Sequence, residues 1–348
     1  MSVNKQHIII IGGGSAGLEA ASKLGSAGYR VTLFEKEEHT GGKLRLWYKL
    51  FPGFKAAETV QDFLASEIKI NLPEIISNAE VVNVIPDNQY HTVVLADGRT
   101  FTADAVLIAT GYDLFQAEKK EEYGYHIYDN VITSADLEQK FRSGQPITTT
   151  NGKTPRRIGF IHCVGSRDKK VGNVYCSKLC CITGVKQAIE IKQHIPKSEV
   201  FNFYMDMRMF GQNFEELYIE AQQKWGITFI RGRISEIAEN IDGSLQLKAE
   251  DTLSGRPIKM NFDLVVLLVG MVPADRTERI GKSARLTFTS GNFLASLDAQ
   301  IKINETNVPG IFITGTCKEP LSVGETLSDA RSAAVRIISW LREKNEIS

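Results

Sequence analysis

The chain has 348 residues and 41 side chains of each charge, so its formal net charge is zero. This length is enough for two or three domains with a substantial core. Nucleic acids and anionic membranes are bound by clustered basic charge, so neither is expected as a partner. The longest apolar runs are too short for a transmembrane segment. The start, MSVNKQ, lacks the apolar stretch of a secretory signal, and we therefore expect a cytoplasmic protein.

A dinucleotide-binding pattern opens the chain. The apolar run His7–Ile11 predicts a buried strand, and Gly12, Gly14 and Gly17 follow at once with the spacing Gly-x-Gly-x-x-Gly. A predicted helix starts at Ser15, and a second strand ends at Glu35. In this arrangement the glycines allow a tight turn, backbone approach to a pyrophosphate and close helix–strand packing. The amides at the helix start face the phosphates, and the acid accepts from the ribose hydroxyls.

The same layout is predicted a second time. Residues 104–111 and 263–270 each run from an aspartate through an apolar strand to a glycine, and strand-like segments precede both. The segment 157–161 would then be the second copy of the opening strand. Such recurrence in a fixed order indicates a duplicated architecture. Aligned on the opening strands, the three glycines of the first copy correspond to His162, Val164 and Arg167 of the second. We therefore expect the second turn not to admit a pyrophosphate, and Cys163 to lie in it.

Four of the five cysteines lie within nineteen residues: Cys163, Cys176, Cys180 and Cys181. The last two fall near the start of a predicted helix that Ser177 would cap, where amide dipoles lower thiol pKa values. Convergence of all four requires that this helix begin late and that Cys163 approach from its own loop. An iron–sulfur cluster, a redox disulfide and zinc all remain open, although the paired C-x-x-C of most structural zinc sites is missing.

Three strings, IIIIGGGSAGLEAA, FIHCVGSRD…VYCSKLCC and GIFITGTCKEP…ETLSDARSAA, resemble the heterodisulfide reductase A subunit family. The family includes subunits of sulfur-oxidising heterodisulfide-reductase-like complexes and of the quinone-interacting oxidoreductase. The resemblance implies FAD on a thioredoxin-reductase-like α/β fold, and a [4Fe–4S] cluster whose ligands match the four cysteines. This chain lacks the family's ferredoxin-like C-x-x-C-x-x-C runs and the cysteines after the first motif. In size and content it best resembles the short subunit of the sulfur-oxidising complexes, and flavin-based bifurcation is not implied.

Further flavin contacts are expected at a double glycine, at two strand ends and at the start of the last helix. Cys317 occupies the C-terminal turn where related flavoproteins carry an acid; it either tunes the flavin, reaches the cluster or is simply buried. The full predicted cofactor-binding set is Gly12, Gly14, Ser15, Ala16, Gly17, Glu35, Lys36, Gly42, Lys43, Val81, Thr110, Gly111, Gly315, Thr316, Glu325 and Thr326.

The sequence thus predicts an FAD-binding domain split around a second Rossmann-like domain, with borders 1–125, 126–262 and 263–348. The function it predicts is electron transfer within a heterodisulfide-reductase-like complex of sulfur metabolism, with no side chain acting as acid–base catalyst. The resemblance implies B-like and C-like partner subunits, a lipoate-binding protein and a homodimer. Two rival hypotheses are an NAD(P)H-dependent flavin disulfide reductase and a non-catalytic redox sensor.

Overall fold

The structure, a computed structural model, describes residues 6–347. The first five residues of the MSVNKQ start, on which the expectation of no secretory signal rests, lie outside that range. Within the described residues, no helix combines the length and apolar character needed to cross a bilayer.

The strands of the described residues are, in chain order, β1 His7–Ile11, β2 Arg30–Phe34, β3 Lys49–Leu50, β4 Lys55–Ala56, β5 Glu74–Ile76, β6 Val81–Ile85, β7 His91–Leu95, β8 Thr100–Ala103, β9 Ala105–Ile108, β10 Tyr112–Leu114, β11 Val131–Thr133, β12 Arg157–Val164, β13 Glu199–Tyr204, β14 Thr228–Arg231, β15 Ile234–Glu239, β16 Leu245–Asp251, β17 Arg256–Phe262, β18 Leu264–Val269, β19 Met271–Pro273 and β20 Ile311–Ile313. The helices are α1 Ser15–Ser26, α2 Ala57–Asn71, α3 Ser134–Ser143, α4 Cys180–His194, α5 Phe214–Gln223, α6 Asp275–Ser283 and α7 Val323–Ile347.

The chain divides into two compact units. The first comprises the described residues up to Arg45, then Glu58–Asp113, then the residues from Val272 onward. The second comprises Leu46–Ala57 and Leu114–Met271. The split of the first unit around the second follows from the order of the strands. The domain borders after residues 125 and 262 stay a prediction.

The first unit is built on a parallel five-stranded sheet in the order β20-β9-β1-β2-β5. Its central strands are continuous apolar runs because both faces are covered, as in β1, where Ile8, Ile9 and Ile10 are fully buried. In β1, Ile11 pairs with Phe34 of β2 and with Ile108 of β9, so the carboxyl ends of these three strands meet at one edge. An antiparallel sheet β6-β7-β8 belongs to the same unit.

The second unit repeats this plan. Its parallel sheet has the order β11-β18-β12-β13-β14, and an antiparallel sheet β15-β16-β17 accompanies it. The central strands of the two parallel sheets correspond one to one: β12 stands where β1 stands, with the equivalents of β2 and β9 on either side of it. The predicted duplication is confirmed.

The second copy departs from the prediction at the turn after its central strand. Where β1 ends at Ile11, β12 continues through His162 and Cys163 to Val164. Pairing of β12 with β18 shifts register between Ile161 and Val164, and Cys163 takes a positive φ of 60°. The expectation that Cys163 lies in a loop is therefore wrong: it lies in a strand bulge, since extra residues in one strand of a pair force an irregularity of this kind.

Candidate functional site

The N-terminal turn is shaped by glycines that could not carry a side chain. Gly12 has φ +109°, and a Cβ there would lie 2.5 Å from the carbonyl oxygen of Ala109. A Cβ on Gly17 would lie 1.9 Å from the carbonyl oxygen of Gly12. At Gly14, by contrast, a Cβ would meet nothing within 4 Å. The turn is thus tightly packed against its own unit but open at Gly14, as backbone approach to a pyrophosphate requires.

Helix α1 begins directly after this opening, with Ser15 and Ala16 in its first turn. Gly14 precedes it in extended conformation and makes no side-chain cap. The first amides of a helix have no partner within it, so those at Ser15, Ala16 and Gly17 are the donors that the dinucleotide prediction needs.

Glu35 is oriented by two backbone amides. The N–H of Gly13 donates to its Oε2 at 2.7 Å, and the N–H of Glu37 donates to its Oε1 at 3.0 Å. The side chain is buried directly after β2, beside the glycine turn. The sequence analysis did not single out Gly13, although it belongs to the same triple glycine. The neighbouring Lys36 is exposed and pairs with Glu37 at 3.0 Å.

The double glycine, Gly41 and Gly42, contacts the N-terminal glycine turn. The N–H of Gly41 donates to the carbonyl of Gly13 at 2.7 Å, and a Cβ on Gly42 would lie 3.0 Å from the Cα of Gly14. The Nζ of Lys43 lies 2.9 Å from Asp113 and 5.4 Å from the centre of the Tyr112 ring. Gly42 is therefore brought to the opening at Gly14, and Lys43 lies beside Asp113 and Tyr112.

The residues that follow β9, Thr110 and Gly111, are uncharged, and Thr110 is held by two residues from a distant part of the chain. The hydroxyls of Thr110 and Thr277 are 2.7 Å apart, and Arg276 donates to the carbonyl of Thr110 at 3.2 Å. Gly111 has φ +76°. Thr277 and Arg276 lie more than 160 residues away in sequence, which is why sequence reasoning missed them.

Val81 is 4% exposed and belongs to the hydrophobic core of the first unit. Its side chain is therefore used in packing. A contact between Val81 and a cofactor through its backbone stays a prediction.

A carboxylate does serve the C-terminal turn, and it comes from helix α7. The Oδ2 of Asp329 accepts from the N–H of Gly315 at 2.7 Å and from the hydroxyl of Thr314 at 2.9 Å. Lys318 pairs with Asp329 at 2.6 Å. Sequence analysis looked for the acid in the turn itself, where Thr316 stands. Asp329 shares a helix face with Thr326, three residues earlier, and that spacing was the available signal.

Helix α7 begins with a reciprocal cap. The carboxylate of Glu325 accepts from the N–H of Ser322 at 2.8 Å, and Ser322 accepts from the N–H of Glu325 at 3.3 Å. Thr326 is buried, and its methyl group would lie 3.5 Å from a Cβ on Gly315. The cap fixes the first turn of α7, and cofactor contacts from Glu325 and Thr326 stay predictions.

Cys317 is fully buried in the first unit. Its Sγ donates to the carbonyls of Thr314 at 3.1 Å and Ile108 at 3.4 Å, and burial raises the pKa of the thiol to about 12. Of the three roles left open for Cys317, the structure supports a buried, hydrogen-bonded core residue, because a thiol of this pKa stays protonated.

Three of the four clustered cysteines, all in the second unit, are hydrogen-bonded through their Sγ atoms. The Sγ atoms of Cys163 and Cys180 are 3.8 Å apart. A hydrogen bond from Cys180 lowers the pKa of Cys163 to about 7, with His162 and Arg167 adding to the effect against burial. Hydrogen bonding from Cys180, again against burial and with His162 assisting, lowers the pKa of Cys181 to about 4. Hydrogen bonding with Cys163 and Cys181, together with burial, raises the pKa of Cys180.

The helix that carries Cys180 and Cys181 begins late, as convergence of the thiols required. Helix α4 starts at Cys180, and the preceding Leu179 offers no side-chain cap. The predicted cap at Ser177 is wrong, because its hydroxyl accepts from the N–H of Met271 at 2.9 Å instead. Cys176, outside the helix, is half-buried, and its Sγ accepts from the N–H of Lys178 at 3.3 Å.

His162 is buried beside the thiols. Its Nε2 lies 2.8 Å from the Oδ1 of Asn202, while its Nδ1 is buried without a hydrogen-bond partner. Burial opposes the charged form of His162, but contact with Cys181 and lesser contributions from Asn202 and Cys163 outweigh it and raise the pKa. The raised pKa favours the cationic form of His162 beside the sulfurs.

The donor chemistry of this site fits an iron–sulfur cluster: four thiols in one unit, two of them with lowered pKa values, beside cationic groups. All four are free thiols, and Cys163, Cys180 and Cys181 are hydrogen-bonded in sequence. Over residues 6–347, no group of three or more His, Cys, Asp or Glu side chains is placed to hold a metal ion.

Comparison with known proteins agrees with this architecture. Residues 6–148 match the family model described as pyridine nucleotide-disulphide oxidoreductase. Among solved structures, the match to thioredoxin reductase of Lactococcus lactis covers 97% of this chain and 100% of the reductase chain, with TM-score 0.68 and 17% identity. Thioredoxin reductase of T. acidophilum covers 99% and 100%, with TM-score 0.68 and 18% identity. The fold is that of a flavoprotein with two dinucleotide-binding domains, as predicted.

Curated relatives are more similar in sequence. The A subunit of the H(2):CoB-CoM heterodisulfide,ferredoxin reductase of Methanothermobacter thermautotrophicus is 39% identical over 236 residues, which is 66% of this chain and 36% of that protein. The iron-sulfur A subunit of the CoB--CoM heterodisulfide reductase of Methanocaldococcus jannaschii is 33% identical over an alignment of 413 positions, gaps included, that covers 94% of this chain and 63% of that protein. The chain thus spans between about a third and two thirds of the length of these relatives.

Proposed function

Since this chain is an oxidoreductase that belongs to the heterodisulfide reductase A subunit family, we propose that it is an FAD- and [4Fe–4S]-containing electron-transfer subunit of a heterodisulfide-reductase-like complex. One observation carries the proposal. The duplicated sheet keeps an open glycine turn in one copy and presents a row of thiols at the equivalent strand end of the other.

The first unit would hold FAD. Gly14 and the first amides of α1 would receive the pyrophosphate, Glu35 the adenosine ribose, and Gly42 and Lys43 would lie beside the cofactor. Lys36, Val81, Thr110, Gly111, Gly315, Thr316, Glu325 and Thr326 complete the proposed set. Asp329 holds Gly315 in place and so supports this edge of the site.

The second unit would hold the cluster through Cys163, Cys176, Cys180 and Cys181. When bound, FAD supplies two-electron chemistry and the cluster one-electron chemistry. The residues around the sulfurs set their charge and burial: His162, Arg167 and the start of α4 favour thiolate. No side chain is needed as an acid–base catalyst.

The finer assignments are extensions of this proposal. They are a role in sulfur metabolism, a cytoplasmic location, a homodimer, and association with B-like and C-like subunits and a lipoate-binding protein. Their support is the resemblance to the short subunit of sulfur-oxidising complexes. Light scattering on the purified chain tests the homodimer directly, since a monomeric mass contradicts it.

The rival hypothesis of an NAD(P)H-dependent flavin disulfide reductase needs a nicotinamide pocket in the second unit. The equivalent of the first turn is occupied there by the continuing strand β12, with His162 and Cys163 buried in it. This geometry favours the electron-transfer function over the rival.

The decisive experiment is anaerobic purification followed by measurement of FAD, iron, acid-labile sulfide and zinc, with electron paramagnetic resonance spectra after dithionite reduction. We expect about four irons and four sulfides per chain and a paramagnetic signal of the reduced cluster. Zinc without sulfide, or a cysteine disulfide without metal, would refute the proposal. A loaded protein that exchanges electrons with no carrier would instead favour the redox-sensor hypothesis.

A further inference from the structure

The loop between Cys163 and Cys176 carries an arginine in a backbone conformation that few residues with a side chain adopt. Arg167 has a φ of 54°, in the left-handed region. Its backbone N–H donates to the carbonyl of Tyr175 at 2.8 Å, and the hydroxyl of Ser166 donates to the same carbonyl at 3.3 Å. Because Tyr175 directly precedes Cys176, these bonds hold the backbone of Arg167 against the chain next to one of the proposed cluster ligands. Strained backbone of this kind is concentrated at functional sites.

The two terminal nitrogens of the Arg167 guanidinium have different surroundings. The Nη2 donates to the carboxylate of Asp206 at 2.6 Å. The Nη1 is buried and has no hydrogen-bond partner within residues 6–347. Leaving a charged donor buried and unbonded is costly, and native structures seldom do so unless a bound group or a functional role explains it. The Nη1 of Arg167 therefore needs an acceptor that the described polypeptide does not supply.

Two of the four thiols lie within electrostatic reach of this guanidinium. Burial opposes the positive charge of Arg167, but its hydrogen bond to Asp206 and the charges of Cys163 and Cys176 outweigh burial and raise its pKa. The buried nitrogen thus belongs to the surroundings of the sulfurs at both ends of the loop. Anionic sulfur is an acceptor for a guanidinium N–H, and hydrogen bonds to sulfur are among the factors that set the potential of an iron–sulfur cluster.

We propose that the Nη1 of Arg167 donates a hydrogen bond to a sulfur of the cluster and thereby raises the reduction potential of that cluster. The inference rests on the proposed electron-transfer function, and it adds a residue that sets the potential at which electrons are exchanged. Reduction adds one electron to the cluster and makes it more negative. A fixed cationic donor therefore stabilises the reduced form more than the oxidised form.

Arg231 provides a matched control, because it binds the same carboxylate as Arg167. Its Nη2 donates to the other oxygen of Asp206 at 3.2 Å, and its Nε donates to the carbonyl of Met205 at 3.1 Å. The Arg231 side chain is 44% exposed, so solvent screens its charge. A purely structural role, which consists of holding Asp206, is shared by both arginines. A hydrogen bond to the cluster is expected of Arg167 alone.

The test compares wild type, Arg167→Gln, Arg167→Lys and Arg231→Gln as full-length chains purified anaerobically with their cluster. A redox titration followed by electron paramagnetic resonance measures the midpoint potential of the cluster. We expect Arg167→Gln to disfavour reduction by about tenfold or more, which lowers the midpoint potential of a one-electron couple by about 59 mV. Arg167→Lys keeps the charge without the branched donor, so its potential should lie between those of Arg167→Gln and wild type. Arg231→Gln should keep the wild-type potential.

A wild-type potential in Arg167→Gln, or equal shifts in Arg167→Gln and Arg231→Gln, would overturn the inference. If Arg167→Gln does not retain its cluster, Arg167→Lys decides: a potential below that of wild type and Arg231→Gln supports the bond, and an unchanged potential overturns it. Iron and sulfide content separate this result from the proposed function. A loaded cluster whose potential is independent of Arg167 leaves the proposed function standing, whereas a wild-type chain without iron and sulfide refutes both.

Discussion

At the scale of single residues, the three glycines of the N-terminal turn are required for different reasons. Gly12 needs a positive φ and lies against Ala109, Gly17 lies against the carbonyl of Gly12, and Gly14 borders open space. A methyl group is therefore excluded by the protein itself at two positions and, on our proposal, by the pyrophosphate of FAD at the third.

The alanine variants should separate these reasons. Gly17→Ala places a methyl group 1.9 Å from a backbone oxygen, so we expect loss of about 3 kcal/mol or more of stability together with loss of flavin. Gly14→Ala should cost only about 1 kcal/mol, the difference between glycine and alanine before a helix, yet reduce FAD affinity. Thermal unfolding of the flavin-free protein and flavin titration measure the two effects.

Gly53→Ala is the matched control, because a methyl group there also meets nothing within 4 Å and the residue belongs to the other unit. It should leave FAD affinity unchanged. Normal FAD binding by Gly14→Ala would show that the pyrophosphate does not approach Gly14.

A second residue-scale feature is a buried ionic group on α4. Glu190 is fully buried, with Lys186 3.1 Å away, and Lys186 also pairs with Glu138. Burial raises the pKa of Glu190 from 4.5 to about 7; Lys186 opposes the rise and Glu138 adds to it. Because the carboxyl keeps its proton more firmly in the folded state, folding is favoured at low pH, and this contribution is lost as pH rises from about 4.5 to 7.

The raised pKa of Glu190 predicts that the free energy of unfolding falls by on the order of 3 kcal/mol between pH 5 and pH 8. Little further change is expected above pH 8. Glu190→Gln cannot ionise, so thermal unfolding should show a smaller loss over this range. Glu236→Gln, at an exposed position paired with Lys248, should retain the wild-type pH profile. If the pH profiles of thermal unfolding were identical for wild type and Glu190→Gln, folding would not raise the pKa of Glu190.

At the scale of elements, the cysteine site is made by one strand and one helix. The bulge at the end of β12 presents Cys163, the start of α4 presents Cys180 and Cys181, and the connection between them carries Cys176. The bulge gives Cys163 its positive φ and brings its sulfur to within 3.8 Å of Cys180. Neither element alone could gather more than two of these thiols.

Serine substitution at any of the four cysteines should therefore remove the cluster, because a hydroxyl is a poor ligand for iron compared with a thiolate. We expect iron to fall from about four per chain to less than about one. The flavin content should be unchanged, since the glycine turn belongs to the first unit. Iron, sulfide and FAD assays on anaerobically purified variants provide the readout.

Cys317→Ser is the control for this series. Its hydroxyl can donate to either of the same two carbonyls, and the residue lies in the first unit, so iron and sulfide should stay at wild-type levels. Loss of iron in this variant, or full iron in Cys163→Ser, would contradict the assignment of the ligands.

At the scale of the whole molecule, the two copies of the duplicated sheet differ at the turn after their central strand. Both copies keep the same order of parallel strands, but only the first retains an open glycine turn. We predict one FAD per chain and no reduction of that FAD by NADPH, whereas dithionite reduces it. Anaerobic stopped-flow absorbance with each reductant is the measurement. Rapid reduction by NADPH would revive the disulfide-reductase hypothesis.

The sequence by itself determined the features that depend on neighbouring residues. These are the buried strand and glycine turn at the N-terminus and the two copies of the strand pattern. Each follows from local periodicity or from the conformations that glycine permits, which hold wherever the segment is placed.

Only the tertiary structure decided the features that depend on distant residues. Asp329 reaches Gly315 from the next helix, Arg276 and Thr277 meet Thr110 across more than 160 positions, and β12 continues past the expected turn because β18 pairs with it as far as Val164. The sequence left the role of Cys317 undecided among three alternatives. The structure decides it, because burial keeps the thiol protonated and no local sequence pattern records that burial.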